Sequence, residues 1–134
     1  MYLELLLRDG TSVLDLRGWD SINVYNDLKY LVKTKPLSAF TQFEYKALIE
    51  TLVDILGISF FRGEWTDRLK HNQKERRRAV LEKIKDYAVR FGKDYFSIID
   101  AELRESWLWF DINMKDKETV VKDIINYLEY GQLS

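Results

Sequence analysis

Four charged side chains, Asp100, Glu102, Asp111 and Lys115, come nearest to a set that could run hydrolysis in this 134-residue sequence. On a strand Asp100 and Glu102 would share one face, and carboxylates converging beside a lysine can hold magnesium and stabilise developing charge in a nuclease. Asp111-Ile112-Asn113-Met114-Lys115 is looser than the acid-x-lysine spacing of such sites, so no catalytic residue and no metal ligand is assigned. His71 is the one histidine and lies in a charged run with no serine or cysteine beside it to activate. The absence of cysteine removes thiol nucleophiles, zinc fingers and iron-sulfur ligation, and a single histidine removes any two-histidine metal site. Arg62-Gly63-Glu64 lacks the second glycine and the lysine-serine or lysine-threonine pair of a phosphate loop. Whether the chain is an enzyme is left open, with a non-enzymatic role preferred, no cofactor expected, and the four-residue nuclease set kept ahead of a His71 general base as the catalytic option.

Binding chemistry is better represented. The net charge is only -1, yet its distribution is uneven: residues 1 to 61 carry -2, residues 62 to 93 carry +6 and residues 94 to 134 carry -5. Arg62, Arg68, Lys70, Lys74, Arg76, Arg77, Arg78 and Lys85 supply much of the basic segment. Guanidinium groups at this density suit phosphates or carboxylates through paired donors. Between Leu69 and Ala79 nothing apolar interrupts the run, so it is expected to face solvent as the start of a helix or as an arm that orders on a partner. Replacing Arg76, Arg77 and Arg78 by glutamine should then cost little stability.

Aromatic residues make up 14% of the chain, and Trp107-Leu108-Trp109-Phe110 concentrates them. Core packing is the first expectation for these tryptophans, and an interface role for one of them the second, because Trp is favoured at binding anchors. Base stacking is disfavoured by the neighbouring Glu102, Glu105, Asp111 and Asp116, which would repel phosphate.

The elements that position these groups follow from periodicity and punctuation. Asp9-Gly10 between Tyr2 to Arg8 and Thr11 to Leu16 predicts a two-residue hairpin, with Leu3, Leu5, Leu7, Leu14 and Leu16 on one face. Asp20 or Ser21 caps a helix through Ile22, Tyr25, Leu28, Leu31 and Val32, which Lys35-Pro36 ends. Thr41 with Glu44 forms a capping box and Phe40 with Tyr45 a hydrophobic staple, opening a helix up to Gly57. Ile58 to Phe61 reads as a short strand, and a long helix runs from Thr66 to Phe91, where Gly92 stops it. Residues 94 to 106 combine a strand-favouring Tyr95 to Ile99 with a helix-favouring Asp100 to Glu105, and strand is preferred. Trp107 to Asn113 reads as a central strand with Trp107 and Trp109 on one face. A last helix begins at Asp116 or Lys117 and ends at Gly131.

These elements add up to one α+β domain over residues 1 to 134, a small antiparallel sheet joined by the N-terminal hairpin and packed against about four helices. No linker composition, internal repeat, signal peptide or membrane span is present, so the chain reads as soluble and cytoplasmic. It resembles, in general character and without a shared motif, many small phage-encoded, immunity-type and regulatory proteins. The expected function is a protein-protein interaction or regulatory module, with another protein or a second copy as partner. The alternative is nucleic-acid binding through residues 62 to 85.

Overall fold

Thr41 sets up the longest helix among the described residues. In the computed structural model, which describes residues 19–62, 73–104 and 106–131, its hydroxyl accepts from the Glu44 amide at 3.0 Å. The Glu44 carboxylate returns to the Thr41 amide at 2.9 Å and also takes the Lys35 ammonium at 2.8 Å. Lys35 first, then the Thr41 amide, hold the Glu44 carboxyl below its ordinary value.

Six helices follow one another among the described residues: α1 (Trp19–Thr34), α2 (Gln42–Phe61), α3 (Gln73–Phe91), α4 (Tyr95–Leu103), α5 (Trp107–Phe110) and α6 (Met114–Tyr130). A 3-10 turn at Leu37–Ala39 joins α1 to α2. Helix α2 buries Leu48, Ile49, Thr51, Leu52, Val53, Leu56, Gly57 and Ile58, which go well beyond one stripe, and packs against α1, α3, α4 and α6. Helix α3 also packs on α4 and α6, and α1 lies against α2 and α5. Buried residues from all six helices form one cluster.

The expected sheet is overturned: the described residues contain no strand, and the α+β fold with its antiparallel sheet gives way to a helical assembly. Ile58 to Phe61, read as a strand, is the last turn of α2, which runs through Gly57 at a propensity cost of about 1 kcal/mol. Residues 95 to 103 are helical because Asp94 caps them, its carboxylate accepting from the Ser97 amide at 2.7 Å. Ile98, Ile99 and Leu103 then all reach the core. Trp107 to Phe110 is a single helical turn, and the proposed hairpin at residues 2 to 16 lies outside the described residues. The expected helix start at Thr66 also lies outside them, whereas the stops at Gly92 and Gly131 are both left-handed, with φ of 62° and 76°.

Thr41→Ala should lower stability by about 1 kcal/mol, read as a lower urea midpoint at unchanged slope, because the capping box loses its acceptor.

Candidate interaction surface on α5

The residues of the basic run do not act as one surface. Arg77 is half-buried on α6: its Nη1 donates to the Tyr127 carbonyl at 3.3 Å, and its guanidinium carbon lies 5.7 Å from the Tyr127 ring centroid. A Cβ built on Gly131 would come within 2.5 Å of that guanidinium, so the left-handed glycine both ends α6 and leaves room for Arg77. A cation at a helix C-terminus meets the negative end of the helix dipole, which makes Arg77 a cap for α6. The expectation that the whole run faces solvent is corrected here.

Lys74, Arg78 and Lys85 are exposed on α3, interleaved with the exposed Glu75, Glu82 and Asp86. Arg76 is half-buried, and Arg62 caps the end of α2 with a positive φ of 49°. Arg68 and Lys70 lie outside the described residues.

The nuclease set is dispersed among structural partners. Asp100 accepts from the Trp109 indole at 2.9 Å and lies 3.8 Å from Arg104. Glu102 accepts from the Ser59 hydroxyl at 2.6 Å, and Asp111 lies 3.8 Å from Lys33. Among the described residues no three carboxylates or histidines converge.

Among the described residues a hollow of about 400 Å³ lies between α1 and α2, lined by Leu28, Tyr30, Leu31, Phe43 and Ala47 among others, and two more border α6 and α5. The larger, about 680 Å³, lies between the start of α2 and α6 and is lined by Phe40, Tyr45, Lys46, Asp116, Thr119 and Asp123 among others. Its polar groups already serve one another: the Tyr45 hydroxyl donates to Asp123, and Asp116 accepts from the Asn113 amide nitrogen at 2.9 Å. Burial first, then Asp123, raises Tyr45 above its ordinary value, which keeps the phenol a donor and unsuited to act as base or nucleophile.

The second hollow, about 170 Å³, is formed by Arg104, Ser106, Trp107 and Phe110. Residues on a helix advance about 100° each, so a single turn can send neighbours to opposite sides. In α5, Leu108 and Trp109 are 0% and 1% exposed while Trp107 and Phe110 are 53% and 73% exposed. A strand would have placed Trp107 and Trp109 together; the helical turn separates them. Lys29 of α1 reaches over Trp107, with its Nζ 5.6 Å from the ring centroid. Sequence reasoning singled out the Trp107-Phe110 segment but assigned its faces with the wrong period, and nothing local in the chain announces that Lys29 and Lys33 of α1 arrive beside it.

No family model, no curated protein and no solved structure matches this chain. Among the described residues no helix is long and apolar enough to cross a membrane.

Two stability experiments follow. Arg77→Gln should cost about 1–3 kcal/mol, the penalty for leaving a partly buried partner unpaired, whereas Arg78→Gln should stay within about 0.5 kcal/mol. Gly131→Ala should be destabilising in both backgrounds but less so beside Arg77→Ala, where only the left-handed backbone strain of about 1 kcal/mol persists. Equal costs for Arg77→Gln and Arg78→Gln in urea titrations would contradict the cap.

At alkaline pH the half-buried Tyr45 and the buried Tyr127 should both lower stability as they ionise. Burial, then Glu50, pushes Tyr127 up to about 12, with Arg77 opposing, and its hydroxyl donates to Glu50 at 3.4 Å. A raised phenol pKa means that the folded state holds the proton more tightly than the unfolded one. Its contribution is therefore complete below the ordinary value of 10.0 and is lost as pH rises toward about 12. Urea midpoints should fall across that window, and the fall should be shallower in Tyr127→Phe.

Proposed function

We propose that this chain is a non-enzymatic interaction module that docks another protein through the outward face of α5. The observation that carries the reading is the division of four consecutive residues into a buried pair, Leu108 and Trp109, and an exposed pair, Trp107 and Phe110. Exposed large aromatics held by a buried neighbour are presented with little side-chain entropy left to lose on binding, and Trp is enriched among residues that dominate interface energies. The aromatic edge in this reading is α5; the cations around it, Lys29, Lys33 and Arg104, lie outside the basic segment 62 to 93, so the segregated charge does not form this face.

Nucleic-acid binding through α3 has weaker support. Arg77 is committed to the end of α6, and Lys74, Arg78 and Lys85 alternate with acids that would repel a phosphate backbone.

A photo-crosslinking residue placed at Phe110 in the native cell tests the proposal. A discrete adduct should form, should weaken strongly when Trp107→Ala is added, and should be absent when the crosslinker sits at Val89, an equally exposed position on α3. Trp107→Ala should leave the melting temperature nearly unchanged, because the ring is half outside and its contact with Lys29 contributes at most about 1 kcal/mol. The same diffuse labelling at both positions would contradict the reading.

A further inference from the structure

Resting on α5 as the docking face, we infer that the partner contributes an acidic segment carrying one apolar anchor side chain. The charges around α5 are layered by depth. Lys33 is 52% exposed and its partner Asp111 20%; Arg104 is 75% exposed and its partner Asp100 23%. In both pairs the carboxylate lies inside and the cation outside, so an approaching chain meets positive charge although acids lie below. Lys29, over the Trp107 ring, adds a third cation from α1.

Both ion pairs are 3.8 Å long, beyond hydrogen-bond distance. The Arg104–Asp100 pair is weak at that length, which leaves Arg104 able to turn toward a second carboxylate with full donor geometry. The Asp111 oxygen facing Lys33 is buried without a hydrogen-bond partner, so Lys33 stays beside it and attracts an acidic chain at longer range. Asp100 does not depend on Arg104, because the Trp109 indole holds its other oxygen.

The hollow between the rings decides the second half of the inference. At about 170 Å³ it is well below the size of pockets that enclose a drug-sized ligand and is suited to a single side chain. It is lined by Trp107, Phe110, Ser106 and Arg104, so an apolar anchor would meet two aromatic residues, with the Ser106 hydroxyl beside them and Arg104 as the cation of the lining. That combination, an apolar centre whose most exposed neighbouring charges are positive, selects an acidic peptide with a Leu, Ile, Phe or Trp among its acids. A nucleic-acid strand would need a continuous basic track, and Asp100 and Asp111 interrupt this one.

Selection of a displayed random dodecapeptide library on the full chain, with counter-selection on Trp107→Ala/Phe110→Ala, tests the inference. The expected winners are rich in Asp and Glu around one large apolar residue. The best synthetic peptide should lose about tenfold in affinity on Lys33→Gln/Arg104→Gln, at an unchanged melting temperature, and should weaken with added salt. Winners that depend on the aromatic pair but are neutral or basic would overturn the acidic partner and leave the docking face standing. An absence of winners that depend on the pair would overturn both. Stronger quenching of tryptophan fluorescence by oligothymidylate than by the best peptide, lost in the aromatic double variant, would assign α5 to single-stranded nucleic acid and overturn the inference.

Discussion

Trp109 is the residue on which the orientation of α5 depends. Its ring is buried, its indole donates to Asp100 of α4 at 2.9 Å, and Lys117 of α6 places an ammonium 5.3 Å from its centroid. A four-residue helix has no stability of its own, since nucleation is unfavourable and few hydrogen bonds reward it. The turn therefore exists because Leu108 and Trp109 enter the core together, and the direction of Trp107 and Phe110 is a consequence of that burial. One side chain thus joins the α4–α5–α6 packing to the exposed aromatic pair.

A second constraint seats α3. Arg77 of α3 donates to the Tyr127 carbonyl in the last turn of α6, the Tyr127 hydroxyl reaches Glu50 of α2, and Gly131 leaves the guanidinium its space. Three helices meet in this chain of contacts. It withdraws Arg77 from solvent, with Arg76 beside it also half-buried, and lets Lys74 and Arg78, three residues to its N-terminal side and one to its C-terminal side, stay in water. Charge density along the sequence does not distinguish these positions, because which arginine meets a helix end depends on how α3 is rotated against α6.

Helix ends marked by their own chemistry were legible in the sequence. The Thr41 and Glu44 box, the stops at Gly92 and Gly131, and the end of α1 before Pro36 all stand where local rules place them. The segments misread as strand, residues 58 to 61, 95 to 103 and 107 to 110, are rich in β-branched and aromatic residues, whose strand preference expresses packing on a pleated surface. With no strand among the described residues to supply that surface, helical periodicity and the Asp94 cap prevailed. Of the binding surface, the aromatic segment was visible. Its outward pair was not, because a period of two and a period of 3.6 divide Trp107 to Phe110 differently, and the lysines of α1 join it only through tertiary packing.

The division within α5 can be read directly by hydroxyl-radical footprinting of the unaltered protein, with oxidation assigned to single residues by fragmentation. The account predicts fast oxidation of Trp107 and Phe110, and protection of Trp109 comparable to that of the core residue Tyr127. Equal oxidation of Trp107 and Trp109, as a strand with both rings on one face would give, would contradict it.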